Sequence, residues 1–171
     1  MGTVLTWMQE KTASVFVYAT ANKVDMLPPE LLRKGRFDEL FFVDLPNDTE
    51  RKEIFQVHLK KLKREHLIQT AAHPAASQLD LDLLVKKSGG YSGSEIEAAL
   101  IDGLHRAFDA NTELNSMDTI DALDSVVPLS VMMKSEVEQL RAWGKGRARP
   151  ANEPEIKAQP TAPKGGRVLQ Q

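Results

Sequence analysis

Asn22 follows the run Val15-Phe16-Val17-Tyr18-Ala19-Thr20, with only Ala21 between them. A continuous β-branched and aromatic run of this kind reads as a strand buried on both faces, as in parallel sheets. A carboxamide just past its end then lies at the C-terminal edge of the sheet, where open α/β sheets bind ligands. Arg33 comes eleven residues after Asn22, and Arg36 three after that. Both follow a short predicted helix and precede the next strand, so both belong on the surface. A guanidinium there offers a planar fork of donors that a lysine lacks. Taken singly, Asn22 also reads as a turn residue and each arginine as a solvated charge. The ordered run from Ala19 to Asp38 carries the information.

A second stretch, Gly89-Gly90-Tyr91-Ser92-Gly93-Ser94-Glu95-Ile96, opens a helix. Ser92 and Glu95 have the spacing of a capping box. Gly90 and Gly93 permit close backbone approach, and the helix N-terminus favours an anion. By itself this is equally an ordinary helix cap. The four histidines, at 58, 66, 73 and 105, show no metal-ligand spacing, and there is no cysteine. No metal site is expected. The basic run Lys60-Lys61-Leu62-Lys63-Arg64 reads as a solvated helix end favoured by the helix dipole, rather than a nucleic-acid patch.

The elements that position these residues fall into three zones. In residues 1–46, Leu5, Trp7 and Met8 predict a short helix ending near Lys11. The strand over 15–20 follows, then a turn into a short helix from Leu27 with Pro29 at its first position. A second strand over 40–45 is stopped by Pro46. Residues 47–144 are helical: Asn47-Asp48-Thr49-Glu50 predicts a capping box and a helix to about Glu65. A loop over 66–78 leads to a helix over 79–87, where a glycine suits the left-handed C′ position. The helix after Ser92 carries Ile96, Ala99, Leu100, Leu104, Ala107 and Phe108. A last helix spans 128–143, with Val137, Leu140 and Trp143 on one face. Residues 145–171, rich in Pro, Gly and basic residues, predict a disordered tail. Lys145, Arg147 and Arg149 in it could meet an acidic partner that nothing specifies.

The chain has 171 residues, 42% hydrophobic and 27% charged, with a net charge of −2. These values suit a soluble globular protein and give no general reason to expect nucleic acid or an anionic membrane as partner. No apolar run approaches the roughly 20 residues of a membrane helix, and the N-terminus lacks the marks of a signal peptide. A cytoplasmic protein is expected.

The stretch from Ala19 to Asp38 resembles the AAA+ ATPase family. There the corresponding strand ends in an asparagine called sensor 1, and an "ATN…LRPGRFD" segment carries arginine fingers. Asn22 matches sensor 1, Arg33 and Arg36 match the finger positions, and Phe42-Val43-Asp44-Leu45-Pro46 matches the next strand's end. The resemblance implies phosphoryl transfer. An amide orients the attacking water, and a guanidinium from a neighbouring subunit stabilises the transition state, worth roughly 10³–10⁵ in rate in related GTPases. The stretch Gly90-Tyr91-Ser92-Gly93-Ser94 resembles the "GxxGADI" turn of the family's helical lid, implying contact with adenine and ribose. Ser94 and Glu95 stand where many members carry a sensor-2 arginine, a departure that points to the clade that manages without one. Gly2 to Thr12, Pro128-Leu129-Ser130 and Leu140-Arg141-Ala142-Trp143 look most like the AAA+ family of cyanobacteria and algal plastids. That likeness runs to about Pro150 and implies cytosol or plastid stroma.

The family's phosphate loop, with its Gly-Lys-Ser/Thr, does not occur after any predicted strand, and no Asp-Glu pair closes one. The expected fold is therefore α/β, an incomplete P-loop NTPase sheet of two strands over 1–46. An all-α helical lid over 47–144 and the tail over 145–171 complete it. In the family these two strands are not neighbours, because the phosphate-loop strand lies between them. The first 46 residues are thus not expected to reach the family arrangement unaided, whereas the lid can fold alone. The resemblance implies ATP and Mg²⁺ as cofactors of the intact module, with neither binding tightly to this chain alone. It implies subunits of the same ring, commonly a hexamer, as partners. The leading expectation is a C-terminal part of an AAA+ ATPase that remodels macromolecules. The alternative is a non-catalytic subunit that joins such a ring, and a third is a gene remnant without function.

Overall fold

The computed structural model describes residues 6–8, 10–33, 35–68 and 79–152. Asn47 accepts the Glu50 N–H at 2.9 Å, and the Glu50 carboxylate accepts the Asn47 N–H at 2.8 Å. This predicted capping box satisfies donors that a first turn leaves open, and it starts helix α1 (Asp48–Lys61). The helix ends sooner than expected, because Lys63 turns to a positive φ of 56°. A 3-10 turn over Glu65–Leu67 follows. Most of the predicted loop, 69–78, lies outside the described residues. Asp80 caps α2 (Leu81–Lys87) by accepting the Leu83 N–H at 3.0 Å.

Ser92 and Glu95 form the second predicted capping box and open α3 (Gly93–Asp109). Asn115 and Asp118 form a third, at the head of α4 (Ser116–Asp124). Sequence periodicity does not disclose α4, which is short and buries the polar residues Ser116 and Thr119 beside its apolar ones. The predicted last helix is two, α5 (Leu129–Met132) and α6 (Lys134–Gly144), parted at Met133.

Phe55, Leu59, Leu84, Ile96, Leu100, Leu114 and Leu123 are fully buried at the centre of the α1–α4 bundle. The α3–α4 contact is the most extensive, and α1 packs on both α2 and α3. Gly103 makes the α3–α4 approach possible. A Cβ there would lie 3.2 Å from backbone atoms of Asp118 and Thr119.

The N-terminal zone is less regular. Residues 6–8 and 10 are helical, and the Lys11 N–H donates to the Trp7 carbonyl at 3.0 Å. The strand predicted over 15–20 is absent. The run is irregular, with Phe16 91% and Tyr18 80% exposed. A strand needs a neighbour for its backbone groups, and among the described residues no strand pairs with this run. The helix predicted from Leu27 is a series of turns, with Leu31 and Leu32 N–H bonded to the Pro28 and Pro29 carbonyls at 2.9 and 3.2 Å. A 3-10 turn over Val24–Met26 precedes it.

The second predicted strand is present but short, as β1 (Phe41–Phe42). Its partner is β2 (Arg149–Pro150), paired in parallel. The fold is thus α/β, a two-stranded parallel sheet with a helical lid. The second strand comes from the stretch predicted as tail, and not from 15–20. Residues 145–152 are ordered by the α6 end, a turn at Gly146 (φ 78°) and β2. The rest of the predicted tail, 153–171, lies outside the described residues.

Candidate functional site

The turn from Gly90 to Ser94 joins α2 to α3. Ser88 ends α2, its N–H donating to the Leu84 carbonyl at 2.9 Å, and its own carbonyl accepts the Tyr91 N–H at 3.1 Å. The left-handed residue is Gly90, at φ 83°. Its missing side chain matters twice, because a Cβ would lie 2.5 Å from Ser130 Oγ. The head of α5 is therefore seated on this turn.

Glu95 holds the two together. One carboxylate oxygen accepts the Ser92 N–H at 2.7 Å and the Ser92 hydroxyl at 2.6 Å. The other accepts the Leu129 N–H at 2.8 Å. Tyr91 turns inward and is buried, and its hydroxyl lies 2.8 Å from the Leu123 carbonyl and 3.0 Å from that of Val126. Burial, with the nearby Asp124 and Glu95 carboxylates, pushes the phenol above its ordinary value of 10.0. Its side chain is committed to packing the turn. Gly93 and Ser94 occupy the first turn of α3, where backbone dipoles leave partial positive charge; Ser94 is exposed and Gly93 half-buried.

Asn22 and Arg33 are exposed, and Arg36 is half-buried. Asn22 sits at a bend after the exposed run. Arg33 closes the turn series by donating its N–H to the Glu30 carbonyl at 3.4 Å. Gly35, at φ 90°, separates Arg33 from Arg36. No hydrogen bond among the described residues links Asn22 or Arg33 to the turn at Gly90–Ser94.

No Gly-Lys-Ser/Thr segment occurs. Among the described residues, no group of three His, Asp or Glu is placed to hold a metal ion. No described helix is long and apolar enough to cross a membrane.

Two features have little local signature. The spacing of Ser92 and Glu95 marks a cap, but the tie from Glu95 to Leu129 spans 34 positions. Arg141 binds Asp44 through a bidentate pair, 97 positions apart. The only sequence signal for it is the Leu140-Arg141-Ala142-Trp143 stretch.

Residues 1–45 match the model of the "ATPase family associated with various cellular activities (AAA)". The chain belongs to the AAA family. It is 47% identical over 152 residues to the "uncharacterized AAA domain-containing protein ycf46" of Pyropia yezoensis, covering 88% of this chain and 29% of that protein. The protein of the same name from Guillardia theta is 44% identical over 142 residues, covering 83% and 26%. A proteasome-activating nucleotidase of Saccharolobus islandicus is 33% identical over 114 residues, covering 66% and 26%. The chain thus spans less than a third of the length of these relatives.

Proposed function

We propose that this chain supplies the sensing and triggering part of an AAA+ ATPase ring that couples ATP hydrolysis to macromolecular remodelling. Asn22 orients the attacking water, Arg33 and Arg36 reach the ATP of a neighbouring subunit, and Gly90 to Ser94 line the adenine side. Residues outside this sequence hold the phosphates and Mg²⁺, so the 171-residue chain alone does not hydrolyse ATP. The ring is commonly a hexamer in the family, and its compartment is cytosol or plastid stroma.

The observation that carries this reading is the exposed apolar run before Asn22. Phe16 is 91% and Tyr18 80% exposed, while the helical bundle buries its own core fully. An apolar run left in solvent beside a finished bundle is what a strand displays when its sheet partners are elsewhere.

The test is to add an excess of this chain to a full-length relative and follow ATP hydrolysis. A changed rate, abolished by Arg33→Ala with Arg36→Ala, is expected. No effect at any ratio would remove the trans-acting role. The absence of a phosphate loop also favours a second reading, a non-catalytic partner subunit. The intact mass of the protein from its source cells separates the two. A species at 19.0 kDa supports the partner subunit. A heavier species continuous with this sequence supports a complete ATPase.

A further inference from the structure

We propose that residues 134–152 form a releasable latch, which adds a parallel strand to one edge of β1 and ties the helical bundle to the end of that strand. The inference goes beyond the proposed function and does not rest on it.

The latch is built from several kinds of contact, all on residues 40–50. The Arg149 N–H donates to the Leu40 carbonyl, and the Ala151 N–H to the Phe42 carbonyl, each at 2.8 Å. Asn152 extends the ladder with its side chain. Its Oδ1 accepts the Asp44 N–H at 2.7 Å, and its Nδ2 donates to Glu50 Oε2 at 2.8 Å. Glu50 is the capping acid of α1, so one carboxamide spans from strand end to helix start. Arg141 places Nε 3.0 and 2.9 Å from the Asp44 carboxylate oxygens, and Nη2 2.8 Å from Oδ1. Gly144 lies close against the Phe42 side chain, where a Cβ would come to 3.0 Å from Cγ and Cδ2. Only glycine permits that approach without displacing the ring.

The same segment is weakly held by burial. Gly144 is the only buried residue of α6, and β2 is two residues long. The side chains of Arg141 and Asp44 are 48% and 32% exposed. A segment secured by a few backbone bonds and a part-solvated ion pair belongs to the low end of local stability. Ile96 and Leu100 of α3, fully buried, belong to the high end. At its other end the segment continues into α5, which Glu95 holds on the Gly90–Ser94 turn. Release would therefore uncover one edge of β1 while leaving the bundle intact. Residues 40, 42 and 44 turn their backbone groups toward the latch, and alternation along a strand directs 41 and 43 to the opposite edge.

Amide hydrogen exchange on the full chain tests this directly. The Arg149 and Ala151 amides are expected to be protected, less than those of Leu100 and Ile120. Arg141→Ala is expected to speed exchange at Ala151 and Asp44 about fivefold, as befits loss of a part-exposed ion pair. Leu100 and Ile120 should not change. Exchanging the charges, Asp44→Arg with Arg141→Asp, should restore protection. Exchange at Ala151 as fast as in an unstructured peptide would overturn the latch. An equal rise at Leu100 would overturn its independent release.

A second variant checks the placement by a separate route. The chain has no cysteine. A Gly144 Cβ would lie 3.4 Å from Phe42 Cβ, close to the about 3.5–4.5 Å that a disulfide requires. Phe42→Cys with Gly144→Cys is expected to form an intramolecular disulfide under mild oxidant and to slow Ala151 exchange until reduced. A folded double variant that stays reduced would overturn the packing of α6 on β1.

Discussion

Gly89 and Gly90 are neighbours, yet a methyl group should affect them very differently. Gly89 faces open space, whereas Gly90 has φ 83° and Ser130 Oγ 2.5 Å from where its Cβ would be. Gly90→Ala is expected to destabilise the chain by roughly 1–3 kcal/mol, the cost of a strained backbone position. Gly89→Ala should change the urea midpoint little, which makes the pair an internal control. Glu97 offers a pH test. Lys61 Nζ lies 2.7 Å from its carboxylate and His58 Nδ1 3.4 Å away. The Lys61 hydrogen bond, helped by His58, holds the carboxyl below its ordinary value of 4.5. A lowered folded-state value means that the favourable contact is present above the ordinary carboxylate range and is lost as pH falls through the lowered one. The carboxyl carbon of Glu97, followed by NMR, should titrate below 4.5, and Lys61→Ala should move it upward.

Helix caps and helix contacts decide the next scale. Alanine is ordinarily about 1 kcal/mol better than glycine inside a helix. At Gly103 the order should reverse, because two of its would-be neighbours at 3.2 Å are backbone atoms of Asp118 and Thr119. Overpacking of this kind costs about 1–3 kcal/mol, so Gly103→Ala is expected to lower the urea midpoint. Glu95→Ala removes the reciprocal half of a capping box and the tie to Leu129. A loss of about 1–2 kcal/mol is expected, with faster amide exchange at Leu129 than at Leu100. The capping boxes at Asn47 and Ser92 were legible in the sequence because a cap is a contact across three residues. Helix α4 was not, because its buried face mixes Ser116 and Thr119 with Ile120, Ala122 and Leu123, and the apolar period is broken.

For the whole molecule, the buried core cluster of the bundle begins, among the described residues, at Phe55, with half-buried Ile54 packed against it; Met8 and Leu31 are buried outside that cluster. Removing residues 1–39 should therefore leave the helical circular dichroism and the unfolding free energy of the bundle within about 0.5 kcal/mol. Phe16, 91% exposed, should tolerate serine within the same limit. A large loss in either case would mean that the N-terminal stretch contributes to the bundle in solution. The family was legible from residues 19–46, and the match of residues 1–45 to the AAA model agrees.

Sequence alone determined what depends on neighbours along the chain: the caps of α1 and α3, the helical run after Asn47, and the family segment around Asn22, Arg33 and Arg36. Tertiary structure decided what depends on distant partners. The run over 15–20 has every local mark of a strand, but strand formation requires a neighbour to pair its backbone, and among the described residues no strand pairs with it. Arg149 and Pro150 have little strand propensity of their own, yet they pair with Phe41 and Phe42. Arg141, Gly144 and Asn152 bring them there through contacts about a hundred positions away. Propensity is a property of a segment, but pairing is a property of what lies beside it.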